Sequence, residues 1–160
     1  TFNFYGSDYT SMWISSNGWI SFGSNPLDAY PSNSALPQSG APTAAVYVFW
    51  DDHVIDTWYW TGAGLYLLVE GSAPARVITV EWKNTIHYDS TSWGDHLANF
   101  QVKLYEQTAV IELLYDRANW MGTIDWSGTV GIEDNSLGDY TMVGSSFGTA
   151  PSSDIRFTPY

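Results

Sequence analysis

The sequence predicts an all-β fold, a jelly-roll-like β-sandwich of two mostly antiparallel sheets without significant helix. Three observations predict it. The hydrophobic period is two rather than 3.6, as along Phe100, Val102 and Leu104, which alternate with Asn99, Gln101, Lys103 and Tyr105. Roughly twelve short β-like runs recur at the spacing of about 8–12 residues typical of sandwiches and barrels. Turn-forming residues cluster between those runs, and no stretch carries a helical stripe.

Taken in order, the predicted strands begin with residues 2–5, 11–15 and 19–22. Asn17-Gly18 lies between the last two and reads as a two-residue hairpin loop, because both residues tolerate the positive φ that such loops require. Residues 25–42 hold Pro26, Pro31, Pro37 and Pro42 and read as a long ordered loop crossing between sheets. Further strands are expected at 44–50, 57–60, 65–70, 77–82, 98–106, 110–115, 129–133, 140–143 and 154–158. The inner faces should carry Ile14, Ile20, Phe22, Val46, Val48, Leu68, Ile78, Val80, Phe100, Val102, Leu104, Ile111, Leu113, Val130 and Ile132.

Composition narrows the function. The chain has 160 residues, suited to one domain spanning 1–160 with a sizeable core. Seventeen acidic residues against five basic ones give a net charge of −12, and no Lys or Arg precedes Arg76. Nucleic acid is therefore a poor partner, since phosphate recognition needs a basic patch. The longest apolar run, 44–50, is far short of the roughly 20 residues that cross a bilayer as a helix, so membrane insertion is not expected. Zero cysteines exclude a disulfide framework, a thiolate metal site and a cysteine nucleophile. An acidic, Cys-free, Trp- and Tyr-rich chain fits an extracellular or cell-surface protein. Its start at Thr1, without initiator Met or leader, reads as a piece processed or excised from a larger secreted protein.

Several segments carry a family resemblance together. Phe4-Tyr5-Gly6, then residues 9–21 (YTSMWISSNGWIS), Ala41-Pro42 and Trp50-Asp51-Asp52 resemble the opening half of NIDO-like (nidogen-type) extracellular domains. Residues 77–82 (VITVEW), 99–105 (NFQVKLY), 111–115 and Val130-Gly131-Ile132 continue the likeness. The chain lacks the cysteines of animal examples and looks closer to bacterial surface-protein repeats with an "FYG…SSNG" opening. The resemblance implies adhesion or matrix roles in secreted proteins and no catalytic site.

Each candidate site has a structural reading beside the functional one. Nine Trp and eleven Tyr are the main compositional anomaly. Trp58, Trp60, Trp93, Trp120 and Trp126 fall in or near loops, where aromatic faces could stack on sugar rings as a carbohydrate-binding platform, contact protein, or simply fill the core. Asp51, with Asp134 and Asp139, could supply oxygen ligands to calcium if their loops meet, and otherwise caps strand ends; no other cofactor is expected. His96 beside Asp95 could enter a Ser/His/Asp triad, and Glu81 with Glu112 could form a glycosidase pair, but no nucleophile is marked and both glutamates read as solvent-facing. Phe2 and Phe4 place a strand at the N-terminus, and a free terminal edge is a template for self-association or for neighbouring surface-protein domains. The functional expectation is a non-catalytic extracellular structural or adhesive domain, the building block of a cell-surface protein or the subunit of an extracellular filament, with a glycan-binding module using exposed Trp and Tyr as the alternative.

Overall fold

A computed structural model of the chain describes residues 1–23, 30–39, 42–88, 97–121 and 126–159. In chain order the strands are β1 (Phe2–Phe4), β2 (Ser7–Tyr9), β3 (Trp13–Ile14), β4 (Trp19–Ser21), β5 (Ala45–Trp50), β6 (His53–Val54) and β7 (Gly64–Glu70). They continue as β8 (Val77–His87), β9 (Ala98–Tyr105), β10 (Val110–Tyr115), β11 (Gly128–Glu133), β12 (Tyr140–Phe147) and β13 (Ile155–Phe157), with one 3₁₀ turn at Arg117–Asn119. One sheet runs β12-β11-β5-β4-β3, the other β13-β10-β9-β8 followed by β7 and β6, and β1-β2 form a separate hairpin. Every pairing is antiparallel, and the all-β sandwich expected from the sequence is what forms.

The period of two explains which side chains meet. Val80 and Trp82 of β8, Phe100, Val102 and Leu104 of β9, and Ile111 and Leu113 of β10 face Ile20, Val46, Val48, Val130 and Ile132 of the other sheet in one core. Ile14 and Ile78 pack at its margin. Leu68 is a correction to the expected core: it is 55% exposed, because β7 pairs only with β8 and neither face of it is covered by described residues.

Two bulges shape the sheets. In β5 the amides of Val48 and Phe49 both donate to the carbonyl of Gly18, at 2.9 and 3.1 Å. Two residues there oppose one, so Phe49 enters the core while Trp50 joins Tyr47 on the outer face. In β8 the register shifts between Trp82 and Thr85, with Asn84 at φ +51°. The first half of β8 therefore pairs β7, and its bent end pairs β6.

Three local expectations need correction. The turn at Asn17-Gly18 has three residues, since Ser15 N donates to Trp19 O at 3.0 Å and only Gly18 has positive φ, the arrangement of a G1-bulge loop. The stretch 25–42, of which 25–29, 40 and 41 lie outside the described residues, joins β4 and β5, which are neighbours in one sheet rather than members of different sheets. Its described part covers that sheet's outer face: Leu36 packs on Trp19, Ala45, Tyr47 and Trp50, and Trp50 Nε1 donates to Tyr30 O at 2.7 Å. Residues 57–60 form a turn rather than a strand, since Asp56 Oδ1 accepts the backbone N–H groups of Trp58 and Tyr59 at 2.7 and 3.1 Å.

Candidate functional site

The densest polar cluster is buried at the junction of β5, β6 and β8. Asp51 Oδ2 accepts from Ser127 N at 2.6 Å, and Oδ1 accepts from Asp52 N at 3.0 Å and lies 3.3 Å from His87 Nε2. Burial would raise the Asp51 carboxyl, but the His87 and Ser127 hydrogen bonds outweigh it and hold the group below its ordinary value. His53 Nε2 donates to Phe49 O at 2.8 Å, its Nδ1 lies 3.2 Å from Thr85 Oγ1, and its backbone N–H goes to Asn17 Oδ1 at 3.0 Å. Burial depresses the His53 imidazole to about 4, so the ring is neutral at physiological pH.

This arrangement resembles a relay in composition but not in geometry. A triad needs its hydroxyl on the imidazole, at the nitrogen remote from the acid. Ser127 Oγ instead lies against the acid itself, 3.4 Å from Asp51 Oδ1, and 3.0 Å from Asn33 Oδ1. Thr85, the hydroxyl that does reach an imidazole, is wholly buried and also donates to Ala98 O at 3.2 Å. The cluster staples the β5 end, the β6 edge and the Asn17 turn together.

Of the residues singled out for calcium, Asp134 and Asp139 share a loop, and Asp51 lies apart from them. Thr129 pairs with Trp50 and Glu133 with Ala45, so Asp51 and Asp134 stand at opposite ends of the β5–β11 ladder. Asp134 serves its own loop, accepting from Ser136 Oγ at 2.6 Å and from the N–H groups of Gly138 and Asp139 at 3.1 and 3.3 Å. Among the described residues no group of three or more His, Asp or Glu is placed to hold a metal ion.

The aromatic set splits three ways. Trp58 is 91% exposed, whereas Trp120 and Trp126 pack edge-on against Phe49, with ring centroids 4.8 and 5.7 Å away. Trp60 is half-buried at the rim of a cleft, and Trp93 lies outside the described residues, as do Asp95 and His96. Phe2 and Phe4 do form a terminal strand, but their side chains are buried in the chain's own core, where Phe2 stacks on Phe22 at 5.3 Å. Glu81 and Glu112 sit on the outer face with β9 between them. Each is held separately, by Gln101 Nε2 at 2.8 Å and by Tyr105 OH at 2.6 Å together with Arg156.

Two surfaces stand out. A cleft of about 730 Å³ over the outer face of the six-stranded sheet is lined by Trp60, Glu81, Lys83, Asn84, Gln101 and Asn119, among others. Asn99 fixes its floor, accepting from Asn84 N at 2.9 Å and donating to Asn119 O at 3.1 Å. The second surface is β7 itself, where Leu65, Tyr66, Leu67, Leu68 and Val69 are 37–59% exposed on both faces of an edge strand. The sequence pattern predicts a strand at 65–70 with Leu68 facing inward, not an exposed edge. The available signal was five consecutive apolar residues with no polar alternation.

A family model described as NIDO related matches residues 1–159. No curated protein and no solved structure matches the chain.

Proposed function

The chain belongs to the NIDO-related family, and from that premise we propose that it is a non-catalytic structural and adhesive domain of the extracellular surface. It acts as a building block that joins its neighbours through exposed sheet edges. The observation that supports this reading is β7, a seven-residue edge strand with apolar side chains exposed on both faces. Unpaired strand edges are templates for further strands, and soluble monomers seldom leave one both long and apolar. Light scattering and electron microscopy of concentrated protein test it. Concentration-dependent oligomers or regular filaments are the expected result, and a monodisperse monomer up to millimolar concentration would overturn self-assembly.

A second reading is glycan binding in the cleft, favoured by the Trp60 ring beside the side-chain amides of Asn84, Gln101 and Asn119. An aromatic face suits the CH face of a sugar, and planar amides suit its hydroxyls. Calorimetry against neutral oligosaccharides should then show binding that Trp60→Ala weakens by about tenfold or more, as loss of a buried aromatic anchor does. Equal affinity in Trp60→Ala would remove this reading.

A further inference from the structure

Among the described edges, β7 alone is long and unprotected. β3 and β6 have two residues each, β12 is bulged against β11, and β13 carries Arg156 and runs into Pro159. Short length, bulges, charges and proline are the usual means of blunting an edge. β7 has none of them within Leu65–Val69, and no residue from Thr57 to Val69 is charged.

We infer that β7 is a homotypic contact: two copies of this chain pair β7 with β7, antiparallel and two-fold symmetric about Leu67, so that their six-stranded sheets join. The inference rests on the assembly reading above and names its partner and register. A two-fold contact is self-complementary and closes on itself. Full overlap of residues 64–70 sets Leu67 opposite Leu67, Leu65 opposite Val69, Tyr66 opposite Leu68 and Gly64 opposite Glu70. The side of β7 carrying Leu65, Leu67 and Val69 then forms one apolar row of six residues across the pair.

Charge fixes the direction and register. Glu70 is the only charged residue in β7, and parallel in-register pairing would set it beside its own copy, which is unfavourable on a chain of net charge −12. Antiparallel pairing sets Glu70 opposite Gly64, and Gly64 pairs on its other side with Lys83 of β8. Directly paired residues share a face, so Glu70 of one copy and the exposed Lys83 of the other lie on one side with only a glycine between. Two strand spacings separate their backbones by about 10 Å, a span that extended Glu and Lys side chains close between them. The Tyr66 ring, which a Cβ on Gly64 would meet at 3.1 Å, gives their aliphatic stems a surface to lie on. The symmetry makes this bridge twice. Lys83 is one of only five Lys and Arg residues in the chain.

A chain without cysteine makes the test clean. Directly opposed residues of antiparallel strands lie about 4.5–5.5 Å apart at Cα, within the range a disulfide spans. On mild oxidation Leu67→Cys should give a disulfide-linked dimer. Leu65→Cys and Val69→Cys should each fail alone and cross-link when mixed. By sedimentation, Glu70→Lys should weaken association several-fold, and Glu70→Lys with Lys83→Glu should restore it. Oligomers that persist in Leu65→Lys/Leu67→Lys, with no cross-link at 67, would overturn the β7 pairing and leave the assembly reading standing. A monomer at every concentration would overturn both. Equal cross-linking at 65, 67 and 69 would overturn the register.

Discussion

Gly18→Ala is expected to destabilise the domain by about 2–5 kcal/mol, a large fraction of the stability of an ordinary domain. Two effects add. Gly18 sits at φ +78°, a left-handed conformation that costs an L side chain about 1–2 kcal/mol. A Cβ there would also stand 2.1 Å from the carbonyl oxygen and 2.8 Å from the carbonyl carbon of Phe49, with His53 Nε2 at 3.1 Å. These obstacles are mainly backbone, and they cannot yield cheaply. Gly18 O holds the two β5 amides that define the bulge, and Phe49 O accepts the His53 N–H. Forcing extra volume into such a place typically costs a further 1–3 kcal/mol. Gly62 supplies the control: it has the same φ of +78° but nothing within 4 Å of its would-be Cβ. Gly62→Ala should therefore lose only the conformational part, about 1–2 kcal/mol. Urea unfolding of both variants separates the contributions, and equal losses would show that the close approach of the Gly18 turn to β5 is not where the energy lies.

That contrast also marks how far the sequence reaches. Alternation placed Phe100, Val102 and Leu104 on the inner face, because burial on one side of a strand leaves a period that any reader of the chain can see. The same rule misplaced Leu68, since a run of apolar residues does not say whether a second sheet lies opposite. Asn17-Gly18 marked a turn, but not that Gly18 O would accept two amides of β5, 30 residues on. Position in a loop leaves Trp120 and Trp126 open to a surface platform, a protein contact or the core, and only the fold shows both rings packed edge-on against Phe49. The residues 57–60 turn was legible in principle, because Asp56 is a residue type that ties down the amides two and three positions on. The cleft was not, because Trp60, Glu81, Gln101 and Asn119 come together only through the pairing of β8 with β9 and the 3₁₀ turn.

Acidification from pH 6.5 to pH 4 is expected to remove about 3 kcal/mol of stability through one buried ring, His53. The imidazole is held among Phe49, Phe100 and Trp126, with centroids at 6.0, 5.2 and 4.9 Å, and is 3% exposed. Burial is the chief cause of its depressed value of about 4; the nearby His87 acts in the same direction, while Phe49 O and Asp51 oppose it. Below pH 6.5 the unfolded chain takes up a proton that the folded ring refuses, so unfolding gains with each step down in pH until the folded ring itself titrates near 4. The interval of about 2.5 units, at 1.36 kcal/mol each, sets the size of the loss at about 3 kcal/mol. Asp51 works in a different window. Its carboxyl lies below the ordinary 3.8, so it contributes stability above that value and loses it only as pH falls further. Unfolding midpoints at pH 7, 5.5 and 4 measure the His53 slope. His53→Gln keeps an amide N–H that can reach Phe49 O and cannot titrate, so it should be less stable at pH 7 yet much flatter between 6.5 and 4. His87 and Asp51 remain in the variant, so the difference between the two slopes isolates His53. If both proteins lose stability in parallel, the His53 ring is not the group that refuses the proton.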